Sequence, residues 1–210
     1  MNHSIHSTLS YSNSEESGAV VGCGESGLAC AATPPQNHLL RKLQNGVSGV
    51  SGVEPLRIVC DSREQTPFTF TGYPATVEAA TLASGDYSLA GFESRVAVER
   101  KALCDLVSCL GTERARFTRE LERLRGFDSA CVVVEAPALA LRQGRYAGRL
   151  NPEAAWQSIV ALSMRYRLPI LWGTDRQDAE GIAYHFLRHF HRDRVREFAA
   201  LCPGEAGGHE

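Results

Sequence analysis

Residues 130 to 135, ACVVVE, constrain the fold more than any other part of the chain. An unbroken apolar run this short, rich in Val, reads as a strand buried on both faces, since a half-exposed strand would alternate. Such a strand needs helices above and below its sheet. The flanking sequence supplies them. Residues 102 to 110 and 112 to 125 read as helices, the second with Phe117, Leu121 and Leu124 on one face and Gly126 as its stop. Beyond the run, Asn151-Pro152 caps and opens a helix striped by Ala155, Ile159, Leu162 and Tyr166. Residues 169 to 172 form a short strand, and Ala179, Ile182, Ala183, Phe186 and Phe190 stripe a last helix. Upstream, LRIVC (residues 56 to 60) is a second buried strand, and residues 87 to 90 with 95 to 100 make a hairpin that turns at Gly91. The pattern predicts an α/β fold, a central mixed β-sheet flanked by helices on both faces.

Residues 1 to 52 are rich in Ser, Gly and Asn without sustained periodicity, and are expected to be a disordered extension. Residues 53 to 196 are expected to form one domain and 197 to 210 a flexible tail. Seven cysteines, an odd number without a CxxC pair, support neither a disulfide framework nor a zinc ribbon; they read as reduced thiols of a cytoplasmic protein. No basic residue precedes Arg41, and no apolar run approaches the roughly eighteen residues that span a bilayer, so no membrane association is expected. A net charge of −2 leaves any nucleic-acid contact to local patches.

The chemistry concentrates around the hairpin. Alternation along residues 95 to 100 puts Val96 and Val98 on one face, and Ala97, Glu99 and then Lys101 on the other. A hairpin turning at Gly91 carries Asp86 back beside Glu99. Two carboxylates and an ammonium at one place suit phosphodiester hydrolysis, because two hard oxygen ligands hold Mg²⁺ (or Mn²⁺) and leave coordination sites for phosphate and water. The lysine then orients or deprotonates that water and offsets charge on the phosphate. Asp61 and Glu64, just past the first strand, are expected to join as further metal ligands.

These motifs, DSRE at residues 61 to 64, GDY at 85 to 87 and VERK at 98 to 101 followed by Asp105, resemble the nuclease domain of the XPF family of structure-specific endonucleases. The spacing of a GD, an ERK and an Asp four residues on is complete, and the resemblance covers residues 56 to 194. It implies a restriction-endonuclease-like fold. It also implies metal coordination by Asp86, Glu99 and the backbone carbonyl of Arg100, catalysis by Lys101, and supporting or DNA-contacting roles for Asp61, Arg63, Glu64, Arg100 and Asp105. The implied substrate is branched, flap or fork DNA. Two departures from the family are expected: Cys109 stands where a serine is usual, and the residues after 194 are too few to be expected to hold the tandem helix-hairpin-helix module of eukaryotic and archaeal relatives. A homodimer through residues 152 to 167 and 175 to 192, or a separate DNA-binding partner, is therefore expected to supply duplex grip.

Residues 95 to 125 carry eight basic side chains against five acids, and residues 142 to 167 five Arg against Glu153 alone. Arg114, Arg116 and Arg119 are expected to bind phosphates. His185 and His189, four apart, suit a metal site only weakly. Trp156, Trp172, Cys104 and Cys109 read as packing residues. Besides a branch-specific nuclease, two readings stay open: a non-catalytic DNA-binding or scaffold subunit, and a restriction-like or exonucleolytic enzyme of the same fold.

Overall fold

The computed structural model describes residues 54–201, so the expected N-terminal extension lies outside the described residues. Within them the order is β1 (Leu56–Asp61), β2 (Ala75–Ala80), β3 (Tyr87–Leu89), β4 (Val96–Lys101), α1 (Leu103–Leu110), α2 (Arg114–Leu124), β5 (Ser129–Val134), α3 (Ala138–Arg142), α4 (Pro152–Tyr166), β6 (Ile170–Trp172) and α5 (Arg176–Leu201). The strands form one six-stranded sheet in the order β2-β1-β3-β4-β5-β6. Its β1-β3-β4 centre is antiparallel and both flanks are parallel.

The apolar run behaves as its composition requires. Ala130, Val132 and Val134 pack with α1, α2 and α4 on one face, while Cys131 and Val133 pack with α5 on the other. On that second face Tyr87 is fully buried, stacked on Phe68 with ring centroids 5.1 Å apart. Asn151 Oδ1 caps α4, accepting from the backbone N–H of Glu153 at 2.9 Å and Ala154 at 3.1 Å. Trp156 and Trp172 pack against the first core, as expected.

Several elements differ from expectation. β2 reads ATVEAA and is almost wholly exposed, an edge strand with no buried face to impose an alternating pattern. It is reached from β1 by a non-helical crossover whose Phe68 and Phe70 fill the core under Tyr87. The short helix α3 was not foreseen either. The last helix runs on to Leu201, so residues 197–201, expected as tail, are helical. It also turns its aromatics inward: Tyr184, Leu187 and Phe190 are buried with Ala179 and Ala183, one face at helical spacing. The aromatic interface expected on residues 175 to 192 is therefore largely core. Cys109 is buried but Cys104 is exposed, on the opposite side of α1 from the core.

Candidate active site

The β3-β4 register pairs Tyr87 with Val98, which sets Asp86 opposite Glu99. Asp86 is held from both sides. Its backbone N–H donates to Val98 O at 2.8 Å, its carbonyl accepts from Asp61 N at 2.8 Å, and its Oδ2 accepts from Arg100 N at 2.7 Å. The residue before it must be glycine, because Gly85 has φ +79° and a Cβ there would stand 3.0 Å from Ala97 Cβ and 3.3 Å from Val98 O. Glu99 is 5% exposed and is paired to Lys101, two residues along the same face. Lys101 Nζ lies 5.9 Å from the ring centroid of Phe117 on α2.

The three side chains open on a cleft of about 650 Å³ between the sheet and α1-α2. Burial raises the Glu99 carboxyl to about 7, helped by the negative charge of Asp86 and opposed by Lys101. Burial likewise raises Asp86 to about 6 against the Arg100 N–H and Lys101. Burial alone would lower Lys101, but the charge and hydrogen bond of Glu99 outweigh it and hold the ammonium above its usual range. Two carboxylates that resist ionisation, each with one oxygen taken by a protein donor, form a donor set that suits a hard divalent cation.

These shifts set a pH dependence. Between about pH 4 and pH 7 the metal-free folded chain keeps protons that the unfolded chain has released, so the stability contributed by this pair is present at low pH and lost as pH rises through the folded values. Asp86→Asn and Glu99→Gln should therefore melt above wild type at about pH 8 and by a smaller margin at about pH 5, without added metal. Melting curves that keep the same offset at both pH values would contradict the assignment.

The other expected residues lie near, in different roles. Asp61 is buried, and its carboxylate is filled: Oδ1 accepts from Arg63 N and Nε, both at 2.8 Å, and Oδ2 from Arg63 Nη2 at 2.7 Å and Leu82 N at 2.9 Å. The Arg63 hydrogen bonds, working against burial, hold its pKa down at about 2. Arg63 also donates to Leu82 O at 2.7 Å, so the pair clamps the end of β1 to the segment leading into Gly85-Asp86. Glu64 is bound by Arg100 Nη2 at 2.9 Å and by Thr66 N at 2.8 Å. Burial works to raise it, but those donors hold it low. Asp61, Glu64, Asp86 and Glu99 thus line one cleft, but the carboxylates of Asp61 and Glu64 are engaged by protein donors, and no cluster of three or more His, Cys, Asp or Glu side chains suited to a metal is found among the described residues. Arg63, two residues along the same motif, binds Asp61, and Arg100 reaches Glu64 from β4.

The period of two that brings Glu99 and Lys101 together sends the Arg100 side chain to the opposite face. There it bridges Glu64 and, at 3.0 Å, Glu135 at the end of β5, all three nearly buried. Arg176 of α5 completes the chain on Glu135 and stacks 4.9 Å from the Phe68 ring centroid. Asp105 is exposed on α1 and lines the cleft.

Of the arginines on α2, only Arg116 among the three expected lines the cleft. Arg114 turns away to donate to Leu110 O and Ser158 Oγ, each at 3.1 Å, and Arg119 is exposed outside the cleft. Arg123 takes its place. It reaches buried Ser84 Oγ at 3.0 Å and pairs with Glu120 at 2.8 Å. The signal was available, because residues seven apart on a helix differ by only about 20° around the axis, so Arg123 follows Arg116. His189 Nδ1 is 2.8 Å from Arg192, and His185 packs edge-on against Tyr73 and Tyr184, so neither is placed as a ligand.

The family model described as "ERCC4 domain" matches residues 60–186, more than half of the chain and the whole of this site. The chain belongs to the ERCC4 domain family. Its fold is that of "XPF from Aeropyrum pernix", with a TM-score of 0.54 at 23% identity, covering 72% of this chain and 75% of that one. A second solved structure, "XPF from Aeropyrum pernix, complex with DNA", gives 0.52 at 21% identity, covering 66% of each chain. Among curated proteins, the Methanocaldococcus jannaschii protein named "Putative ATP-dependent RNA helicase" is 26% identical over 144 residues, 69% of this chain. The match spans only 16% of that protein. The ERCC4 match and the likeness of fold to the two XPF structures agree with the family resemblance carried by GDY and VERK. No described helix is long and apolar enough to cross a membrane.

Proposed function

We propose that this ERCC4 domain is a divalent-metal-dependent DNA endonuclease that cuts branched, flap or fork structures. The observation that carries the reading is the meeting of Asp86, Glu99 and Lys101, from facing strands, in one cleft rimmed by Arg116 and Arg123. Asp86 and Glu99 are the residues that would hold Mg²⁺ or Mn²⁺, with the carbonyl of Arg100 beside them. The bound ion would supply Lewis acidity toward the scissile phosphate and a more acidic water. Lys101, kept charged by Glu99, sits where an ammonium orients the attacking water and offsets negative charge that develops on the phosphate. Arg116 and Arg123 hold the backbone against the cleft. The Asp61-Arg63 clamp and the Arg100 bridge are positioning groups, which fix Asp86 through the 81–86 segment and the β4 backbone.

A scaffold subunit without catalysis is the reading least supported, since every acid and base of the GD and ERK motifs is present and assembled. The decisive experiment is Mg²⁺-dependent cleavage of fork, flap, duplex and single-stranded DNA by wild type beside Asp86→Ala. Preferential cutting of forks or flaps is the expected result. Equal cutting of plain duplex and single strands would replace it with a restriction-like or exonucleolytic enzyme. Self-association is proposed on the exposed apolar residues Val160 and Met164 of α4 and Val195, Phe198 and Leu201 of α5, which replace the aromatic patch first expected. Light scattering should read a dimer that Met164→Glu with Phe198→Glu dissociates, and a wild-type monomer would remove the proposal.

A further inference from the structure

Residues 136–152 hold three arginines, Arg142, Arg145 and Arg149, and no Asp or Glu. All three are exposed, and none ion-pairs with a carboxylate among the described residues. The contrast with α2 is plain, where Arg116 and Arg123 are paired with Glu113 and Glu120. Here three positive charges stand without compensation on one short segment.

The segment is seated firmly enough to present them. Tyr146 donates to Leu150 O at 2.8 Å, both side chains pack into the core, and Gly148 lies against Val107 of α1. Arg142 stacks with its guanidinium 5.5 Å from the centroid of Trp156, an arrangement that restrains the fork and leaves its N–H edge for an anion. α1 thus stands between two basic features. One flank turns Asp105 and Ser108 to the cleft, and another carries Val107 under the arginine segment. A helix with its side chains is about 10–12 Å thick, close to the roughly 12 Å width of a duplex major groove. One double helix can therefore lay phosphates on both.

We propose that the α3–α4 segment is a second phosphate-binding face, which holds a duplex arm of the DNA across α1 while the reacting strand lies in the cleft. The role of the arm rests on the nuclease reading; the binding face does not. The test is fluorescence anisotropy of the full chain with a labelled duplex and a single strand of equal length, in chelator, across a salt series. In the variant Arg142→Gln/Arg145→Gln/Arg149→Gln, duplex binding should weaken roughly tenfold or more near 0.1 M salt, and the slope of log affinity on log salt should fall by roughly two to three. Because Arg142 also packs on Trp156, the double variant Arg145→Gln/Arg149→Gln, with an unchanged melting temperature, should lose a slope of roughly two. An unchanged slope in both variants would overturn the proposal, and equal losses on single strand would overturn its assignment to a duplex arm. Cleavage by Asp86→Ala at the wild-type rate would sink the nuclease reading while leaving this binding result intact.

Discussion

Asp86→Ala, Glu99→Gln and Lys101→Ala should each cut cleavage by roughly a hundredfold or more, with the fold preserved in all three. The effect is large because each side chain acts where charge develops, and the site offers no spare group to replace it. Of the further acids that line the cleft, Asp61 and Glu64 are saturated by Arg63 and by Arg100 with Thr66, and Glu120 is paired with Arg123. Lys101→Arg should not rescue, since the planar, weakly hydrated guanidinium is no substitute for a compact ammonium paired to Glu99 in a confined space. Loss of stability is not expected in Asp86→Ala and Glu99→Gln, because removing a buried carboxylate that resists ionisation relieves the metal-free protein, whereas Lys101→Ala leaves Glu99 without its partner and should melt below wild type. Single-turnover cleavage together with thermal melting separates the two effects. Retention of near wild-type cleavage in all three variants would exclude this site.

Arg100→Ala should act in the opposite sense, mainly on stability. Arg100, Glu64 and Glu135 are 11%, 8% and 11% exposed, so the variant leaves two almost buried carboxylates without their shared cation. Breaking a buried pair by removing one partner costs about 3–5 kcal/mol, which for a domain of this size lowers the melting temperature by on the order of ten degrees. Arg176, at 43% exposure, cannot fully replace it on Glu135 and does not bond Glu64. The triple replacement Arg100→Met/Glu64→Leu/Glu135→Leu should recover part of the loss, because a well-packed apolar set removes the desolvation penalty instead of leaving it unpaired. Thermal melting is the measurement. A drop of no more than a degree or two in Arg100→Ala would show that the bridge is solvated and that Arg100 is free for DNA.

Adjacent residues of one strand thus have separable duties, and that much was legible without coordinates. A period of two and a hairpin turn at Gly91 are local rules, and together they oppose Asp86 to Glu99 and put Lys101 on the same face. The doubly buried β5 likewise announced helices on both sides of the sheet, because an unbroken apolar run has no solvent face. What the sequence could not decide was which charges meet across elements. Glu64, Arg100 and Glu135 belong to separate segments, and only packing shows that Arg100 bridges the two carboxylates. The same holds for β2, which has no buried face to leave a pattern, and for α2, whose rotation selects Arg116 and Arg123 over Arg114 and Arg119. Periodicity is set by the geometry of one element, whereas ion pairs and cleft walls are set by how elements dock.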